Sequence, residues 1–347
     1  MQAISAADAV SPAVLRMRDF LFRPFNWKTY LKLGLVAIVT EGLGSNSHSS
    51  THGGPSSGHG SAGPMLYSLS PEWVAAIVAA VLLALVVAAF VFYLITRLRF
   101  AYFHCLIHNT RLIRPGWHLY REQATRFFWL NLVVGFCFVL LVVLVALPFA
   151  AGFLQLFRET QQGGPMDFRL LLSLILPLIP ILLLLLLACV LTDLVLRDCM
   201  LPHYALEDAT AGEAWAEVWG RILAEKRQFF VYALLRVILP TIAAIGVFIV
   251  LLIPGLMVAG SLGAIVYGLH SAFADASGAA ALMGVVFQVF FGVVAFGFML
   301  LASICLGGPV ATATREFALL FYGGRYQALG DILYPPPPPA VPGSLQL

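Results

Sequence analysis

The stretch FRLLLSLILPLIPILLLLLLACVLTDLVL, Phe168 to Leu196, decides how the rest of the chain is read. Between Arg169 and Asp193 it carries no charge, and apart from Ser173, Cys189 and Thr192 every side chain is aliphatic or proline. A helix rises about 1.5 Å per residue, so roughly 20 apolar residues cross about 30 Å of hydrocarbon. This stretch is longer than that. A run so uniform has no polar face to turn toward water, which is the pattern of a helix surrounded by lipid.

Working outward, five more segments read the same way: Trp27 to Leu43, Trp73 to Thr96, Phe127 to about Leu156, Phe229 to Pro254 and about Ala281 to Leu306. The first is short, and Lys28 and Lys32 near its start can extend to the interface. Composition agrees. The chain is 61% hydrophobic and 11% charged, with mean hydropathy +0.92, whereas soluble domains carry about 25% charge. The expected fold is an all-α polytopic transmembrane helical bundle of about six spans. It forms a single membrane domain over residues 1–334, followed by a proline-rich tail, 335–347. Gly255 to Leu269 is apolar and glycine-rich. It is read as a kinked extension of the fifth span, in preference to a re-entrant piece or a seventh span, because a tight turn at Pro254-Gly255 would leave bare backbone in lipid.

Arginine and lysine mark the side. The segments assigned to the inner face hold Arg16, Arg18, Arg23, Arg97, Arg99, Arg111, Arg114, Arg121, Arg126, Arg197, Arg221, Lys226, Arg227, Arg315 and Arg325, and the outer ones only Arg158 and Arg169. By the positive-inside rule both termini are cytoplasmic. The outer segments are a Gly/Ser/His linker, 42–71, a short loop from Arg158 to Asp167, and His270 to Gly278. The net charge of +3 gives no support to a nucleic-acid surface. None of the five cysteines falls in an outer segment, so a disulfide framework is not expected, and no cleaved signal peptide is read at the N-terminus.

One unit recurs three times, over about 12–110, 111–206 and 207–330. Each is an amphipathic segment, an outward span and a return span. The entries RPFNW, TRFFW and KRQFFVY place Trp27, Trp129 and Val231 at two equal spacings of 102 residues. The return spans end in FHCLI, RDCML and SICLG, with Cys105, Cys199 and Cys305 in register. In the amphipathic segments, Ser11-Pro12 reads as a helix start with Val14, Met17 and Leu21 on one face. Thr210 to Glu213 reads as a capping box, and Glu217 with Arg221 as an i, i+4 pair. Trp215, Val218, Trp219 and Ile222 form one stripe of that helix. Trp117, Tyr120, Ala124 and Phe127 do the same more briefly. These helices either lie on the lipid surface or cap the bundle from below.

Ionisable groups at membrane depth are functional candidates. The cluster singled out is Glu41, Arg97, Arg99, Asp193, Asp198 and Arg236. Glu41 falls near the outer end of the first span. Arg97 or Arg99 is expected to pair with Asp193 or Asp198, and either aspartate is also the candidate partner of Arg236. His104, Cys105 and His108 have the i, i+4 geometry of a zinc pair, with His118 and His203 in the same compartment, but no further ligand has a motif spacing, and no metal is expected. His48, His52 and His59 lie in the linker. No cofactor is expected. Nucleophile-elbow, Walker, H-E-x-x-H and dinucleotide motifs are missing, and no catalytic residue is assigned.

The segments LFRPFNWKTYLKLGL, RLRFAYFHCLIHNTRLIRPGWHLYREQATRFF and LRDCMLPHYALEDATAGEAW resemble an uncharacterised bacterial multi-pass family. That family is similar to the membrane domain fused to glycerophosphodiester phosphodiesterases. The likeness covers about residues 12 to 330. It implies a six-helix inner-membrane protein of unknown activity and transfers no catalytic residue, since the phosphodiesterase barrel has no counterpart here. The functional expectation is a non-enzymatic scaffold or accessory membrane protein, with lipid around it and a protein partner at the cytoplasmic helices. The alternatives are a transporter or channel for a small or lipid-like substrate, motivated by Pro148, Pro240 and Pro254, and an integral-membrane enzyme acting on lipid.

Overall fold

The computed structural model describes residues 4–45, 71–161, 168–273 and 279–334. The expectations for most of the 42–71 linker with its histidines, for the centres of the two short outer loops and for the proline-rich tail lie outside the described residues. Among those described the chain is helical, with no strand. In order the helices are α1 (Val10–Phe22), α2 (Trp27–Ser45), α3 (Pro71–Ile107), α4 (Ile113–Leu119), α5 (Arg121–Gln161) and α6 (Phe168–Leu194). A π-helical turn, Val195–Met200, follows directly. The chain then continues as α7 (Leu201–Leu206), α8 (Ala211–Ala224), α9 (Lys226–Phe273), α10 (Ala279–Gly323) and α11 (Gln327–Leu333).

Among the described residues, five helical stretches are long and apolar enough to cross a membrane: Glu72–Ile107, Arg121–Arg158, Leu171–Leu206, Lys226–Gly268 and Leu282–Gly323. The protein is therefore an all-α, membrane-embedded helical bundle. The sixth expected span is helical as α2, but its 19 residues include Lys28, Lys32 and Glu41, and much of it is buried. Gly255 to Leu269 is a continuation of α9, which runs unbroken through Pro240 and Pro254.

The chain forms two compact units. The first holds residues 1–42, 104–112 and 215–347. In it α1 and α9 pack along α10, and α11 folds back on the end of α10. Its core is aromatic. Tyr232 stacks on Phe321 with ring centroids 4.2 Å apart, and Phe229 meets the edge of Phe321 at 5.4 Å. α2 meets α10 where glycine faces glycine. A Cβ on Gly308 would lie 2.8 Å from the Cα of Gly34, and one on Gly34 would lie 3.2 Å from Ile304. Missing side chains let the two backbones approach, as in helix pairs within membranes. One turn before Gly34, the Tyr30 hydroxyl donates to the Cys305 carbonyl at 2.5 Å.

The second unit holds residues 43–103 and 113–214. α5 packs on α6, and the π turn links α6 to α7. Phe127 bridges Phe100 at 5.5 Å and Tyr204 at 5.3 Å. Tyr120, between α4 and α5, lies 6.0 Å from Phe100, and burial pushes its phenol up. Tyr120, Ala124 and Phe127 are buried, so this stripe is the opening of α5 and faces the core.

In both units the buried side chains gather at the helix ends rich in arginine. The middles of α3, α5, α6, α9 and α10 leave large apolar side chains exposed: Leu83 is 65% exposed, Leu184 68%, Ile253 68% and Phe296 70%. Surface this apolar along whole helices is what a bilayer covers.

The local signals divide. The capping box forms: the Thr210 amide and hydroxyl donate to the Glu213 carboxylate at 3.0 and 2.8 Å, and the Glu213 amide donates back to the Thr210 hydroxyl at 3.5 Å. These bonds hold the Glu213 carboxyl below its ordinary value. Glu217 and Arg221 pair as expected. The start of α1 differs. The helix opens at Val10 behind Ala9, with no side-chain cap, because Ser5 and Asp8 have already closed a turn upstream through Ser5 Oγ. Ser11 is inside the helix, and its buried residues are Ala13, Phe20 and Leu21, while Val14 is exposed.

Two outcomes follow from these contacts. Gly308→Ala drives a Cβ into backbone, so it destabilises the protein by about 1–3 kcal/mol in mixed-micelle unfolding. Gly246→Ala, which meets nothing within 4 Å, is neutral or stabilising by about 0.5–1 kcal/mol. The Glu213 carboxyl has a lowered value when folded, so its contribution is present above the ordinary carboxylate range and fades as pH falls through the lowered value. Amide protection in the first turn of α8 should fall with pH in that window, and Glu213→Gln, which cannot titrate, should abolish the dependence.

Candidate functional site

Charge buried in apolar surroundings must be paired, because desolvating an ion costs several kcal/mol. The first unit gathers its buried charge where α2, α9 and α10 meet. Glu41 lies in the last turns of α2 and is 8% exposed. Its Oε2 accepts from Arg236 Nη2 at 2.8 Å, and its Oε1 lies 3.9 Å from Arg315 Nε. Thr40 and Thr312 are fully buried and donate to backbone carbonyls of their own helices, Val36 and Gly308. Beside Arg315, Glu316 is fully buried and pairs with Arg16 of α1 at 3.1 Å. Arg16 also donates to the Leu106 carbonyl at 2.7 Å. The ends of α9 and α10 are held further by Arg325, which binds Glu225 at 2.8 Å and donates to the Ile4 carbonyl at 3.1 Å.

This arrangement relocates Glu41. The sequence suggests the outer end of a span. The structure puts it against Arg236, in the third turn of α9, and Arg315, close to the end of α10. Those are the ends flanked by Lys226, Arg227 and Arg325. Arg236 pairs with Glu41, a partner that the sequence reading had not offered. Arg16, Arg315 and Glu316 were missed as site residues. The visible signal was Arg315-Glu316 inside the otherwise apolar end of α10.

The second unit carries a separate set of charges. Asp193 pairs with Arg197 one turn on, at 2.9 Å. Arg97 donates to the Trp117 carbonyl at 3.1 Å and sits 4.5 Å above the Trp117 ring, a cation–π contact. Arg99 and Asp198 are buried, at 5% and 2% exposure. Arg197, Asp198 and Cys199 all lie in the π turn. Such a turn bonds i to i+5 and is seldom kept without a local role. His203 is fully buried and lies 3.3 Å from Glu207.

His104 and His108 stand with ring centroids 4.6 Å apart. Cys105 turns instead to the Leu112 carbonyl at 3.3 Å, so its sulfur is directed at backbone and not at a shared point with the two imidazoles. The cleft between α1, α9 and α10 has a volume of about 200 Å³ and is lined by Val10, Met17, Leu239, Pro309, Val310 and Phe317, among others. It holds no convergent set of polar groups that a reaction would need.

A membrane-embedded helical bundle with buried ion pairs near its helix ends is the class these features define. Residues 4–332 match a family of unknown function (DUF7544), and the chain belongs to that family. Neither a curated protein nor a solved structure matches it.

The ion pair sets a thermodynamic expectation. Removing one partner leaves the other charge buried and alone, so Glu41→Gln or Arg236→Met costs about 3–5 kcal/mol in mixed-micelle unfolding. The double variant Glu41→Met/Arg236→Met costs well under the sum, with a residue due to Arg315. Additive costs would show that the two side chains act independently.

Proposed function

We propose that the protein is a non-enzymatic scaffold or accessory protein of the bacterial inner membrane, with its arginine-rich helix ends facing the cytoplasm. The carrying observation is that Glu41, Arg236 and Asp193, the groups a transport route would use, are engaged in close ion pairs at 2.8–2.9 Å. The excess of arginine at one set of helix ends supports the orientation. The protein partner would meet α8, whose Trp215 and Trp219 stack on each other at 5.8 Å while remaining 43% and 48% exposed. Aromatic residues left exposed in this way are typical of interaction surfaces and interfacial belts.

Hydroxyl-radical footprinting of the full chain in nanodiscs tests the closed interior, because the radical arises from water. Tyr30, Tyr232 and Phe317, all buried around the charges, should label at least about tenfold more slowly than the half-exposed Tyr334. A labelled track running from Glu41 along α9 and α10 to their far ends would instead favour a transporter.

A further inference from the structure

We propose that the turn joining α1 to α2 is a binding site for anionic phospholipid headgroups. Phe22, Phe25 and Trp27 are 38%, 46% and 59% exposed. They are not scattered: Phe25 stacks on Phe22 at 6.1 Å and meets Trp27 edge-on at 5.1 Å, and Trp27 meets Tyr30 at 6.0 Å. Around this aromatic floor stand four exposed bases, Arg18, Arg23, Lys28 and Lys32. One acid, Asp19, lies among them, 3.7 Å from Arg18 and 3.4 Å from Arg23. These pairs are more than half exposed and therefore weak. The patch keeps a clear positive excess.

The turn is held in shape from behind. Arg111 donates to the carbonyls of Pro24 and Arg23, and Tyr30 is fixed to Cys305. Asn26 Oδ1 accepts from the Lys28 amide at 3.0 Å. None of the four bases or three exposed aromatics is needed for these contacts. Apart from the weak pairs of Arg18 and Arg23 with Asp19, the exposed side chains are thus available to a ligand while the backbone beneath them stays fixed.

Charge complementarity names the occupant. Clustered bases attract anionic headgroups, and aromatic rings settle at headgroup level with their apolar bodies toward the acyl chains. An acidic protein would satisfy the bases but leave the aromatic floor without a reason in a chain already surrounded by lipid. The assignment takes its setting from the membrane-scaffold reading, and its test is separate from the footprinting experiment. Loss of headgroup preference would leave a closed interior untouched.

Delipidated full-length protein in detergent can be titrated with phosphatidylglycerol or phosphatidylcholine and followed by native mass spectrometry. Each basic side chain near the surface strengthens anionic binding by about fivefold. Phosphatidylglycerol should therefore bind the intact protein well over tenfold tighter than phosphatidylcholine, and raised salt should weaken it. Arg18→Gln/Arg23→Gln/Lys28→Gln/Lys32→Gln should erase the preference. Lys28→Gln and Lys32→Gln, each singly, should cost about fivefold, which keeps the test available if the quadruple variant folds poorly. Lys226→Gln/Arg227→Gln, a basic pair elsewhere, should retain the preference. Equal binding of the two lipids would overturn the proposal. So would a preference that survives the quadruple variant, one lost as fully in the Lys226/Arg227 control, or full displacement by millimolar inorganic phosphate.

Discussion

A guanidinium or carboxylate inside an apolar bundle must find its opposite, and much of the first unit's architecture follows from that demand. Arg236 sits in the third turn of α9 with its side chain only 10% exposed. Glu41 meets it at 2.8 Å, with Arg315 close behind. To deliver Glu41, α2 must come hard against α10, and this is possible because Gly34 and Gly308 carry no side chains at the crossing. The glycine contact and the ion pair are therefore one device. The first sets the separation, and the second makes any larger separation costly.

The same constraint explains where the cores lie. In each unit the packed aromatics and the buried charges share the arginine-rich helix ends, while the helix middles expose leucine, valine and phenylalanine. In water this would be an unstable arrangement. In a bilayer it is economical: lipid covers the apolar middles with no specific contact, and protein packing is reserved for the ends, where polar groups need defined partners. The exposed tryptophans fit this division. Trp27 opens α2, Trp73 lies in the first turn of α3, and Trp129 lies near the start of α5, close to helix ends where an interface would fall.

What was legible in the sequence was what depends on short range. Hydropathy gave the long helices. The Thr210–Glu213 box and the Glu217–Arg221 pair were visible because their partners lie three and four residues apart. The run of α9 through Pro254-Gly255 was visible because the alternative would strip backbone of hydrogen bonds in lipid. The pairing of Arg236 with Glu41 was not, since Glu41 lies 195 residues away and the sequence reading had offered only Asp193 or Asp198. The π turn at Val195–Met200 left no sign, because its residues are compatible with an ordinary helix. Ser11 misled for a different reason. It has the right chemistry for a cap, but Ser5 and Asp8 hold the turn that precedes α1, so the helix begins before Ser11 is reached.

α2 shows what hydropathy alone leaves out of such a chain. Its apolar residues resemble a short span, yet they are divided between an exposed side with Leu35 and a buried side with Leu33, Val36 and Ala37. A spanning helix presents apolar surface to lipid around much of its circumference. α2 instead buries one side with two polar residues, Thr40 and Glu41, at its end. That pattern belongs to a helix whose main partner is protein. Its charges record the same division: Glu41 faces inward to arginine, whereas Lys28 and Lys32 face outward beside Trp27. A helix with a buried anion at one end and exposed cations and aromatics at the other is built to hold two environments together.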